Sequence, residues 1–180
     1  MIRIKKYLAI FILITGLVMA NDTENKTAVF AAGCFWGVES TFQQMNGVKS
    51  TTVGYIGGKV KNPSYELVCT GLTGHAEAVE VIYNPKLVSF ETLLDTFFKL
   101  HDPTTMNRQG PDVGTQYRSA AYFSTSEEKE IIKNKIDALN ESGKLASRVV
   151  TEIEALSEFY NAEAYHQDYY KKRGIDGCAI

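Results

Sequence analysis

The 180 residues carry a formal net charge of −2, with 44 % apolar and 22 % charged side chains. That balance excludes a disordered chain, and the lack of a basic stripe leaves nucleic-acid binding without an electrostatic footprint. The length suits one domain with a core of its own.

At the N-terminus, Arg3, Lys5 and Lys6 precede an apolar run from Tyr7 to Ala20, and Val18-Met19-Ala20 leads into polar Asn21-Asp22-Thr23-Glu24. This is the pattern of a secretory signal peptide over residues 1–20, followed by a linker over residues 21–26. The apolar run is short of the about 20 residues that a bilayer span needs. The expectation is an exported protein, periplasmic or secreted, with an uncleaved N-terminal membrane anchor as the alternative. Cys34, Cys69 and Cys178 all follow the cut. Such an odd, widely spaced set in an oxidising compartment leaves one thiol over and staples a domain poorly, so redox chemistry is the better reading.

Thr27 to Ala32 reads as a buried strand. Gly33-Cys34-Phe35-Trp36-Gly37 follows, and Val38 to Met45 then has helical spacing, stopped by Asn46-Gly47. Val48 to Tyr55 is rich in β-branched residues and predicts a strand running into Gly54, Gly57 and Gly58. Asn62-Pro63-Ser64 predicts a turn and cap, Tyr65 to Cys69 a short helix, and Ala76 to Tyr83 a strand closed by Asn84-Pro85. Ser89 opens an amphipathic helix that buries Phe90, Leu93, Leu94, Phe97, Phe98 and Leu100. The polar stretch from His101 to Thr115 is expected to be a structureless loop, of a length that is more often functional than not. Gln116 to Phe123 reads as a strand, Ser126 as the start of a charged helix, and Arg148 to Ile153 as a fifth strand. Phe159 to Lys172 is expected as a last helix, and residues 173–180 as a flexible coil tail carrying Cys178. The alternation predicts a two-layer α+β sandwich over residues 27–172, a mixed sheet covered by helices on one face.

Cys34 stands at a strand-to-helix junction with two large aromatics beside it. A sulfur there feels unpaired backbone N–H groups and the positive end of the helix dipole, which favours the thiolate; a buried structural cysteine in a tight turn is the alternative. Common templates fail: the chain has no dinucleotide fingerprint after a strand, no phosphate-binding loop and no Gly-x-Ser-x-Gly. His75, His101 and His166 have no metal-ligand spacing with the cysteines, so no metal site is expected. His75-Ala76-Glu77 lacks the Pro-Cys-x-x-Cys of zinc deaminases, and a Cys–His nucleophile pair stays open. Glu77, near apolar neighbours, is either an exposed strand-end carboxylate or a proton donor with a raised pKa. Tyr65 and Tyr117 fit core residues with rim hydroxyls or site residues, and Asp112 fits a turn former or a site residue.

Taken together, these stretches carry a resemblance. Gly33-Cys34-Phe35-Trp36-Gly37, Gly54-Tyr55-Ile56-Gly57-Gly58, Asn62-Pro63-Ser64-Tyr65, Thr73-Gly74-His75-Ala76-Glu77-Ala78, His101-Asp102-Pro103 and Gly114-Thr115-Gln116-Tyr117-Arg118-Ser119 resemble, in order, the blocks of the A-type peptide methionine sulfoxide reductase family. The likeness spans nearly all of Ala28 to Tyr170. It implies that Cys34 is the nucleophile and that Phe35 and Trp36 hold the substrate's methyl group. It further implies that Glu77 protonates the sulfoxide oxygen, helped by the hydroxyls of Tyr65 and Tyr117, and that Asp112 supports the site through hydrogen bonds.

The implied reaction is thiol-dependent reduction of methionine-S-sulfoxide, free or in oxidised proteins, through a sulfenic acid on Cys34. Cys178 is implied as the resolving thiol, forming a disulfide with Cys34 that an external thioredoxin-like or other dithiol reductant reopens. The resemblance implies no bound cofactor, no nucleic-acid partner and a monomer. Cys69 is read as a buried thiol, with a backup redox role as the alternative. A thiol peroxidase and a binding module for methyl or thioether groups remain the competing functions.

Overall fold

β1 (Lys26–Ala32) is buried on both faces from Ala28 onward, which places it in the middle of a sheet. The computed structural model describes residues 24–175. Its further elements are α1 (Phe35–Gln43), β2 (Val48–Ile56), α2 (Tyr65–Cys69), β3 (Ala76–Tyr83), α3 (Phe90–Leu100), β4 (Arg108–Gln109), β5 (Asp112–Val113), β6 (Ser119–Phe123), α4 (Ser126–Glu141), β7 (Glu152–Ala155) and β8 (Tyr160–Asn161). Six of the strands form one mixed sheet in the order β7-β6-β1-β3-β2-β8, in which only β6 and β7 run parallel.

Alternation along the strands splits the core in two. Phe30 heads the larger half, stacked on Phe42 of α1 at 5.4 Å and on Phe90 and Phe97 of α3 at 6.0 and 5.1 Å. Ile132 of α4 joins the same cluster, so these helices cover one face of the sheet. Complete burial of a ring such as Phe30 is worth about 1.5–3 kcal/mol. The opposite face combines the small Ala31, Ala76, Ala78 and Ala120 with Val29, Ile56 and Tyr122, and takes Phe159 against it. This is the α+β two-layer sandwich that the sequence predicts.

Several boundaries differ, each for a local reason. α1 begins at Phe35, not Val38, because Gly33 reverses the chain in one left-handed residue (φ +83°) and the helix starts directly after Cys34. The polar loop from His101 is ordered: Asp102 Oδ1 accepts from Thr104 N–H at 2.9 Å, Gln109 braces the backbone of Asp102, and β4 and β5 pair across Gly110-Pro111. Tyr117 ends a 3₁₀ turn (Thr115–Tyr117) rather than beginning a strand, and β6 starts at Ser119. The fifth predicted strand lies at Glu152–Ala155.

The last predicted helix, Phe159 to Lys172, does not form. β8 pairs with β2, and residues 164–170 make turns, with Asp168 in the left-handed region (φ +53°). Tertiary bonds override the helical spacing. Gln167 accepts from Val53 N–H and donates to Val53 C=O, both at 2.9 Å, standing in for a strand residue along β2.

Candidate active site

Strand register gathers the site at one end of the inner strands. The pairing Phe30↔Val79 brings the start of β3 beside the end of β1, Tyr55↔Glu77 sets the end of β2 against β3, and Ala32↔Ser119 brings in β6. Cys34 follows β1, Glu77 is the second residue of β3, and Tyr117 lies just ahead of β6, so residues distant in sequence converge. Gly33 makes the turn possible twice over: its φ is positive, and a Cβ there would come within 2.6 Å of Gln109 Cβ.

α2, α3 and α4 are capped by Ser64, Ser89 and Thr125, whose hydroxyls accept from the first-turn N–H groups. Cys34, the N-cap of α1, makes no such bond. The Phe35 N–H instead donates to Glu77 Oε2 at 3.2 Å. Alternation along β3 turns Glu77 to the helix-covered face with Val79 and Val81. Its carboxyl, in a residue only 2 % exposed, is pushed up to about 8 by burial, with the Asp112 charge adding to the rise and the Phe35 N–H opposing it. Near neutral pH Glu77 is therefore a neutral acid.

The Cys34 thiol is pushed up to about 12, first by burial and then by the Glu77 charge. The Trp36 and Gly37 N–H groups pull it down, and Asp112 adds to the rise. The thiolate expected from the helix N-terminus is thus not the resting form: the dipole is in place, but desolvation outweighs it. Burial also raises Tyr65, followed by its hydrogen bond with Cys69, and brings Tyr117 to about 12, followed by the Glu77 and Asp112 charges. Both phenols keep their protons and can donate. Cys69, expected to be buried, is exposed on the one-turn helix α2, where it meets the Tyr65 hydroxyl.

Phe35 and Trp36 form an aromatic wall. Phe35 is buried against Tyr55 and His166 at ring separations of 6.0 and 5.1 Å, and Trp36 is half-buried, stacked on Tyr169 at 3.6 Å and 4°. Cys34, Phe35, Trp36, Tyr65, Glu77, Asp112 and Tyr117 therefore lie together in the structure. Cys178 lies outside the described residues, as do residues 1–20.

Four neighbours have no site role in the sequence reading: Tyr55, Glu163, His166 and Tyr169. Glu163 accepts from Tyr55 O–H at 2.8 Å and from Tyr65 N–H at 2.9 Å, anchoring the start of α2. The signal for two of them, His166 and Tyr169, is the dense run Tyr165-His166-Gln167-Asp168-Tyr169-Tyr170, which a helix would scatter over several faces. Open clefts of about 530 and 610 Å³ lie elsewhere, and neither is lined by Cys34 or Glu77. Among the described residues, no three His, Cys, Asp or Glu side chains are grouped to hold a metal ion. His75 and His101 are tied into the frame, His75 to Gly58 N–H and Val60 C=O, and His101 to Phe97 C=O and Ser119 Oγ.

One thiol, one protonated carboxyl and two phenols beside an aromatic wall define a thiol-chemistry enzyme on an α+β frame. The family described as peptide methionine sulfoxide reductase matches residues 26–180. The peptide methionine sulfoxide reductase MsrA of Methanosarcina mazei is 56 % identical over 148 residues, 82 % of this chain and 70 % of the relative. Reduced Mxr1 from Saccharomyces cerevisiae superposes with a TM-score of 0.76 at 38 % identity, over 83 % of this chain and 86 % of that one. Mxr1 in complex with Trx2 matches with a TM-score of 0.56 at 26 % identity, over 86 % of this chain and 91 % of that one. The chain belongs to the peptide methionine sulfoxide reductase family.

Proposed function

We propose that this chain reduces the S epimer of methionine sulfoxide, free or within proteins, to methionine, and so repairs oxidised proteins. The observation that carries this reading is Glu77, a carboxyl kept protonated near neutral pH at the helix terminus that holds Cys34. A sulfoxide is a poor electrophile until its oxygen is protonated or strongly hydrogen-bonded, and its methyl group suits an aromatic wall.

The protons balance on these residues. Glu77 gives its proton to the sulfoxide oxygen, with the Tyr65 and Tyr117 hydroxyls as further donors. The Cys34 sulfur attacks the sulfoxide sulfur, and the thiol proton passes to the carboxylate just formed. The hydroxyl then passes from the substrate sulfur to the Cys34 sulfur as the sulfur–sulfur bond breaks, so methionine leaves and Cys34 carries the oxygen as a sulfenic acid. A second thiol condenses with it to give a disulfide and water, and an external dithiol of the thioredoxin type reopens that disulfide. The solved complex of Mxr1 with Trx2 supports that kind of reductant.

A thiol peroxidase fits less well. It attacks a peroxide with a resting thiolate, whereas burial and the neighbouring carboxyl hold Cys34 as a thiol. Incubating the protein with dithiothreitol and each separated epimer tests the main reading. Methionine is expected from the S epimer alone; turnover of the R epimer, or of neither, would contradict it.

Cys178 is the proposed resolving thiol. Cys178→Ser should complete one turnover, yielding one methionine per chain, and then stop when thioredoxin is the only reductant. Unimpaired steady-state turnover with thioredoxin would remove Cys178 from the cycle. Export is proposed as well, on the basic and apolar N-terminal pattern of the sequence.

A further inference from the structure

We propose that His166 is the positioning residue for the Trp36 indole, accepting its N–H as a neutral imidazole while Tyr169 backs the ring. The role assigned to Trp36 rests on the methyl-pocket reading above. Trp36 Nε1 donates to His166 Nδ1 at 3.1 Å. Nδ1 therefore carries no proton, and the proton sits on Nε2. That nitrogen is buried without a hydrogen-bond partner: Glu163 Oε2 lies 3.9 Å away and already accepts from Tyr55.

His166 is 1 % exposed, and the rings of Phe35, Tyr65 and Tyr165 pack on it at 5.1, 4.4 and 4.2 Å. A buried N–H left unpaired costs about 1–3 kcal/mol, and phenylalanine would fill the same space without that cost. What phenylalanine cannot do is accept the indole proton. Burial holds the imidazole below its ordinary range, against the Glu163 and Glu66 charges, so it stays an acceptor.

The remaining freedom of the indole is removed by stacking. Tyr169 lies parallel to it at 3.6 Å, and the Arg173 guanidinium sits 3.6 Å from the Tyr169 ring centre, which leaves it only the opposite face. The stack fixes the plane of the indole, and the hydrogen bond to His166 fixes its rotation within that plane. A wall held in this way receives a methyl group without ordering on binding, so its loss falls on KM more than on kcat.

His166→Phe and His166→Asn separate the hydrogen bond from ring packing, since the Asn oxygen can occupy the place of Nδ1. His166→Phe is expected to raise KM for methionine sulfoxide about tenfold with kcat little changed, and His166→Asn to restore most of it. The chain has one tryptophan, so an ¹⁵N spectrum shows a single indole N–H. In the unmutated protein it should display scalar coupling across the hydrogen bond to an unprotonated His166 Nδ1, whether or not either variant folds. An unchanged KM in His166→Phe, equal damage in both variants, or a protonated Nδ1 without coupling would each overturn the proposal. An inactive wild-type protein would overturn the activity reading instead, while the coupling still decides the His166 contact.

Discussion

Glu77→Gln is expected to slow methionine formation by about 10²–10⁴-fold, the usual contribution of a positioned general acid, while stabilising the fold at alkaline pH. The two effects have one cause. Glu77 has a carboxyl pKa of about 8 in the folded chain, against 4.5 for the ordinary side chain. Between those values the native state binds more protons than the unfolded state, so wild-type stability falls as pH rises from about 4.5 through about 8. Glutamine cannot ionise, and its oxygen can still accept from the Phe35 N–H. The variant should therefore unfold at higher urea than wild type at pH 9, by a few kcal/mol, with the gap closing toward pH 5. The same titration governs the wild-type reaction: single-turnover rates should decline as pH rises through about 8, where the donor proton is lost. Full activity in Glu77→Gln, or lower stability at pH 9, would show that the carboxyl is structural.

Cys34→Ser should abolish the reaction, by at least about 10³-fold, with the fold retained, because a serine oxygen cannot take up the sulfoxide oxygen as a sulfenic acid. Position 34 is half-buried and its side chain makes no capping bond, so the substitution removes no helix cap. Residual thiol-dependent turnover would point to the exposed Cys69 near Tyr65 as the working thiol. The measurement is methionine released per chain with dithiothreitol in excess, for Cys34→Ser and for Cys34→Ser combined with Cys69→Ser.

The sheet was legible in the sequence where local pattern and tertiary environment agree. β3 and α2 have their predicted bounds because Asn84-Pro85 and Ser64 mark them chemically. The segment after Asn161 was not legible, because its side chains bond to distant partners: Glu163 to Tyr55 and Tyr65, Gln167 to Val53, and His166 to Trp36. Helical spacing says nothing about such bonds. The motif blocks single out the candidate site residues, but not the burial that overturns the thiolate expected of Cys34. A helix N-terminus is visible in a sequence; the burial that outweighs it is a property of the packing around the strand ends.

The pairing of one thiol with one protonated acid is tested most directly by trapping the oxygen after one turnover. A Cys69→Ser, Cys178→Ser protein is mixed with one equivalent of the S epimer and dimedone, without reductant, and analysed by peptide mass spectrometry. One methionine per chain and a dimedone adduct on Cys34, both suppressed by Glu77→Gln, is the predicted result. Methionine formed without an adduct on Cys34 would contradict the account.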